Sequence, residues 1–112
     1  MTQNRSLDKL VKQEVCFVES LIELMPGYLI NVTEDYQKLS ESIVKKDVIG
    51  VQQVVHRVRG SAISYGFSVI DTIMDNIQIL SQDDNFKLMD EQAAGLKQYL
   101  KNIKKALEDR GE

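Results

Sequence analysis

The sequence predicts an all-α protein, an antiparallel four-helix bundle with an additional helix at the N-terminus. Three observations carry that expectation. Apolar residues recur at three- and four-residue steps along the whole chain. No stretch alternates apolar and polar residues as a half-buried strand does. The breaks between periodic segments are short, and short connections make successive helices antiparallel neighbours.

Leu7, Val11, Val15, Val18, Leu21, Ile22 and Met25 predict a first helix, with Ser6 as its N-cap and Pro26-Gly27 as its break. Leu29, Val32, Tyr36, Leu39 and Ile43 mark a second. Asp47 is placed to cap a third, which runs to about Tyr65 and stops at Gly66 in a left-handed conformation. Ile70, Ile73, Ile77 and Leu80 share one face of a fourth. After the polar loop Gln82-Asp83-Asp84-Asn85, a last helix carries Met89, Ala93, Leu96, Leu100, Ile103 and Leu107.

Composition narrows the function. The 112 residues form one domain, 1–112, able to bury a single core. The net charge of -3 comes from interspersed acids and bases, with no basic stripe for nucleic acid or an anionic membrane. No apolar run approaches the roughly 18 residues of a bilayer span, and 1–13 lacks a signal-peptide core. A single cysteine, Cys16, excludes an internal disulfide, and one His with one Cys is too little for a usual zinc site. Nothing supplies Cys16 with a base, so an inert thiol is expected. The expectation is a soluble, cytoplasmic domain without a metal or cofactor of its own, and a monomer. Met74 and Met89 are expected to fill core gaps, and Lys104-Lys105 to lie on a solvated helix face.

The stretch HRVRGSAISYG, 56–66, holds the only histidine and a glycine inside a helical run. On a wheel of about 100° per residue, Val51, Val54, Val55, Val58, Ala62 and Tyr65 fall in one core arc, and His56 lies roughly 150° from its centre. His56 should therefore face water, with Ile49, Gln52, Gln53, Arg59, Gly60 and Ile63 on the same outer side. Two readings compete: an ordinary surface histidine, or an imidazole nucleophile with Arg59 at i+3 to hold phosphoryl oxygens and Gly60 at i+4 to clear the approach. Spacing alone leaves both open. Gln78 is expected to return to the level of His56 across the Gly66 turn and to accept a hydrogen bond from one ring nitrogen. A solvated amide is the competing reading.

The run His56-Arg57-Val58-Arg59-Gly60-Ser61-Ala62, closed by Gly66, resembles the motif of histidine-containing phosphotransfer (HPt) domains. That pattern is His, any residue, an aliphatic, a basic residue, Gly, Ser or Ala, and a small residue. Lys46-Asp47 and the run from Val51 to Val55 also fit the family's approach to its histidine. Arg59 stands where the family usually has Lys, which keeps the charge and changes its reach.

The resemblance implies that His56 accepts a phosphoryl group from a receiver-domain aspartyl phosphate and passes it to another receiver. Arg59 would orient or neutralise the phosphate. Ile49, Gln52, Gln53, Gly60 and Ile63 would form the docking face. The partners would be the receivers of hybrid histidine kinases and response regulators, and the receiver would bring the magnesium. No nucleotide-binding loop occurs, so the chain is expected to be a carrier without ATP-dependent kinase activity. The alternatives are an interaction module that binds a receiver without being phosphorylated, and a phosphatase-like helper. The N-terminal Met1 and the first helix favour a free-standing protein.

Overall fold

The computed structural model describes residues 5–111. Among them are five α-helices, α1 (Arg5–Val11), α2 (Met25–Val44), α3 (Val48–Ser64), α4 (Ser68–Gln82) and α5 (Phe86–Gly111), and one 3-10 helix, Glu19–Leu24. The protein is all-helical. α2, α3, α4 and α5 each pack on two of the others in a closed ring, and α1 lies mainly against α5. Leu39, Val51, Ile70, Ile73, Ile77, Met89 and Leu96 are fully buried where these faces meet. Met74 is equally buried, and both methionines fill the core as the periodicity implied.

The three turns between these helices share one hydrogen-bond scheme. After α2, the Asp47 amide donates to Ser42 O at 2.8 Å and the Lys46 amide to Ile43 O at 3.1 Å. After α3, Phe67 donates to Ala62 O at 2.8 Å and Gly66 to Ile63 O at 3.1 Å. After α4, Asn85 donates to Leu80 O and Asp84 to Ser81 O. Each is a Schellman closure, which requires a left-handed residue just past the helix. Lys46, Gly66 and Asp84 take that role, with φ of 58°, 87° and 53°. The next helix then starts at once: Asp47 accepts from the Gly50 amide at 3.0 Å, and Asn85 from the Leu88 amide at 3.2 Å. The sequence signalled the Asp47 cap and the Gly66 stop. It gave no sign of Lys46 or Asp84 in the left-handed region.

The N-terminal third differs from expectation. Ser6 lies inside α1 instead of capping it, and the helix ends at Val11. Its freed Val11 carbonyl accepts from Asn102 Nδ2 of α5 at 3.1 Å. Residues 14–18 have no regular structure, and Pro26 opens α2 instead of breaking a helix before it. Proline suits that place because the first-turn amides have no intrahelical partner. The apolar spacing that imitated a helix is met by packing: Phe17 sets its edge on Phe67 with centroids 6.3 Å apart, and Val15 and Leu21 lean on the core. Phe67 also stacks on Tyr28, which stacks in turn on Tyr65. Arg110 near the end of α5 forks both nitrogens onto Glu19, at 2.7 and 2.9 Å, and thereby ties the N-terminal segment to α5. Cys16 is a free thiol, exposed in this irregular segment and not on a helix. The reading of Met1 as a free start falls outside the described residues.

The turn geometry fixes the sign of two substitutions. Gly66→Ala forces a side chain into the left-handed region and sets its Cβ about 2.8 Å from Val18 Cγ2. It should cost on the order of 1–2 kcal/mol in urea unfolding. Lys46→Gly relieves the same strain at an exposed site and should gain about 1 kcal/mol. An unchanged midpoint in both variants would show that the turns tolerate other closures.

Candidate functional site

α3 presents one face to the core and another to solvent. Val51, Val54, Val55, Val58 and Ala62 are buried. Ile49, Gln52, Gln53, His56, Gly60 and Ile63 are all exposed, as the helical wheel placed them. The two isoleucines are 69% and 59% exposed. His56 lies between them and makes no hydrogen bond or ion pair among the described residues. Around Gly60 the surface is bare: a Cβ built there meets nothing within 4 Å.

The two arginines beside His56 are drawn to opposite sides. Arg57 reaches α2, with Nη2 2.9 Å from Asp35 Oδ1 and Nε donating to the same oxygen at 3.0 Å. Arg59 reaches α4, where Nε donates to Asp71 Oδ1 and Nη1 to Asp75 Oδ1, each at 3.0 Å. The hydrogen bond to Asp71, ahead of the charges of both acids, holds the Arg59 guanidinium above its ordinary pKa, and it stays cationic. Arg59 is thus not the unengaged cation that the i+3 spacing suggested. It stands one turn from His56 with its charge spent on two carboxylates.

The register of α4 follows from contacts on either side of the histidine. Arg59 meets Asp75, and Gln52 Nε2 donates to Ser81 Oγ at 3.4 Å. Residue 56 lies between 52 and 59 on α3, so it is level with the turn of α4 that runs from Asp75 to Gln78. Gln78 is exposed at that level, in agreement with the fold-back expected around Gly66. Its Oε1, however, faces Arg59 Nη1 at 3.5 Å, and no hydrogen bond joins it to His56. The amide extends the Arg59 cluster and does not orient the imidazole.

Asp71 and Asp75 are the residues that the sequence reading missed. A usable signal was present: two acids four residues apart on the fourth helix, mirrored with Arg59 across the Gly66 turn. Elsewhere, Lys104 and Lys105 are exposed, and Lys105 pairs at 3.7 Å with Asp109 on its own helix. Among the described residues no group of three or more His, Cys, Asp or Glu side chains converges to hold a metal ion. No helix among them is long and apolar enough to cross a membrane.

The open space at Gly60 gives a sharp expectation. A helix-interior glycine costs about 1 kcal/mol relative to alanine, and here alanine meets no obstacle. Gly60→Ala should therefore raise the unfolding free energy by about that amount. A loss of stability would mean that α3 bends or contacts something at this point. Comparison with protein-family models, with curated proteins and with solved structures returns no match.

Proposed function

We propose that the chain is a phosphorelay carrier of the HPt type, with His56 as its phosphoryl acceptor. The observation that carries this reading is an unpartnered, exposed imidazole on α3, with bare Gly60 one turn on and exposed isoleucines at either end. It coincides with the motif from His56 to Ala62. On this reading α2 to α5 form the antiparallel four-helix bundle of that family, and α1 is an addition at its N-terminus. The protein works as a cytoplasmic monomer.

The chemistry asks little of the carrier. An imidazole nitrogen attacks the phosphorus of a receiver's aspartyl phosphate. The N–P bond forms as the P–O bond to the carboxylate breaks, and the ring gives up its remaining proton to solvent. The reverse sequence on a second receiver regenerates His56. Phosphoryl transfer depends on alignment and charge neutralisation, and the receiver's magnesium supplies much of the latter. Ile49, Gln53 and Ile63 offer apolar and amide contact to the receiver, and Gln52, tied to Ser81, offers a steadier one. Arg59 and Gln78 stand at the edge of the transfer site.

A second reading, an interaction module that binds a receiver without being phosphorylated, is favoured by one observation: Arg59 is already engaged by Asp71 and Asp75. His56→Gln separates the two. The carrier reading expects this variant to bind a receiver and melt like the wild type, yet to gain no acid-labile, base-stable phosphate. Undiminished phosphate uptake by His56→Gln would sink the carrier assignment. Gly60→Gln tests the docking face. Uptake from a phosphorylated receiver should fall by about tenfold or more, and uptake from phosphoramidate, which needs no protein surface, should change little. Equal losses with both donors would assign Gly60 to His56 itself and not to docking.

A further inference from the structure

Among the described residues Arg59 is the cation a turn away from His56 on the α4 side, and α4 holds it by two carboxylates. The arrangement is lopsided. Two acids meet one guanidinium, which leaves an excess negative charge about one turn from the place where a phosphoryl group on His56 would stand. Asp71 lies in the first turn of α4, where the helix dipole favours an acid in any case. Asp75 has no such reason for its place. Its side chain is half exposed, makes one hydrogen bond, to Arg59, and opens the turn of α4 that faces the histidine.

The grip is also weak enough to be released. The side chains of Arg59 and Asp75 are 35% and 49% exposed, so each ion pair is screened and contributes little alone. Nη2 of Arg59 carries no hydrogen bond among the described residues and can take a new acceptor before the old ones are lost. A phosphoryl group brings a charge between about -1.5 and -2 and three acceptor oxygens, and a guanidinium meets phosphate oxygens as a fork. Side chains at i and i+3 on a helix are about 5–6 Å apart at Cβ, within reach of a rotated Arg59.

We propose that Asp71 and Asp75 hold Arg59 away from the unmodified His56, and that Arg59 transfers from Asp75 to the phosphoryl group once it arrives. Asp75 is then a positioning residue, acting through Arg59. It keeps phosphohistidine less stable than a free arginine would make it, and so keeps the group transferable to the next receiver. The proposal rests on the carrier reading of His56.

The test uses the full chain and phosphoramidate as donor, with the half-life of phosphohistidine as the readout. Asp75→Asn should lengthen that half-life about two- to five-fold, the range expected for an exposed ion pair of this kind. It should shift the equilibrium with a receiver towards the carrier by a similar factor. Thermal melting should be unchanged, which a merely structural role would not predict alongside a longer half-life. Asp75→Glu should behave like the wild type. In the Arg59→Ala background the effect of Asp75→Asn should disappear. If wild-type protein takes up phosphate and Asp75→Asn leaves its half-life unchanged, the holding role is wrong and the carrier reading stands. If the lengthening persists in the Arg59→Ala background, Asp75 acts by direct repulsion and the transfer of Arg59 is wrong. If wild-type protein takes up none, both readings fall together.

Discussion

The hydrogen bond from the Phe67 amide to the Ala62 carbonyl fixes more of this molecule than any other contact. It closes α3, and with the left-handed Gly66 it reverses the chain within three residues. A turn that short allows α3 and α4 almost no freedom to slide. Register along the pair is set at this point and carried outward. Arg59 comes opposite Asp71 and Asp75, and Gln52 opposite Ser81. The aromatic stack of Tyr28, Tyr65 and Phe67, edged by Phe17, then packs the turn from the side and holds it against α2 and the N-terminal segment. Without that closure there is no reason for an acid pair on α4 to meet an arginine on α3.

Register explains the electrostatics of the exposed face. Charges on neighbouring helices pair when the turn between them leaves their side chains at one level, whatever their distance in sequence. Arg57 and Arg59 are two residues apart, so they leave α3 in different directions, one to α2 and the other to α4. His56 lies between these directions and touches neither pair. Its angle on the helix turns the histidine to solvent, and the ion pairs of its neighbours lie to either side of it.

This also marks the boundary of what the sequence could say. The cores of α2 to α5 were legible because apolar periodicity over 15 residues or more is hard to mistake, and the outward direction of His56 follows from the same arithmetic. Asp47 and Gly66 were legible because their side chains have a local reason to be there. Lys46 and Asp84 were not, since neither residue type marks a left-handed site as glycine does. The N-terminal third misled for a different reason. Val11, Val15 and Val18 have helical spacing, but the helix ends at Val11, and the irregular segment that follows half-buries Val15 and Phe17 while leaving Val18 exposed. Pro26 reads equally as the end of one helix or the beginning of the next. The acids that hold Arg59 were hidden because a pair across a turn depends on register, which a single helical wheel does not contain.

Glycine at position 60 can be judged against the energies around it. Its cost of about 1 kcal/mol is less than the burial of one valine contributes, and α3 buries four valines and an alanine. The helix therefore forms with or without a better residue there, and stability does not decide what occupies the position. Nor does packing, since the space above Gly60 is empty of protein. The position is open on three counts at once: it is exposed, it has no neighbour for a side chain to meet, and it is one turn from an imidazole without a partner. A side chain added there would project over the approach to His56 and would lie beside the Arg59 cluster. Glycine at 60 thus costs the fold about 1 kcal/mol and leaves the surface one turn from His56 bare.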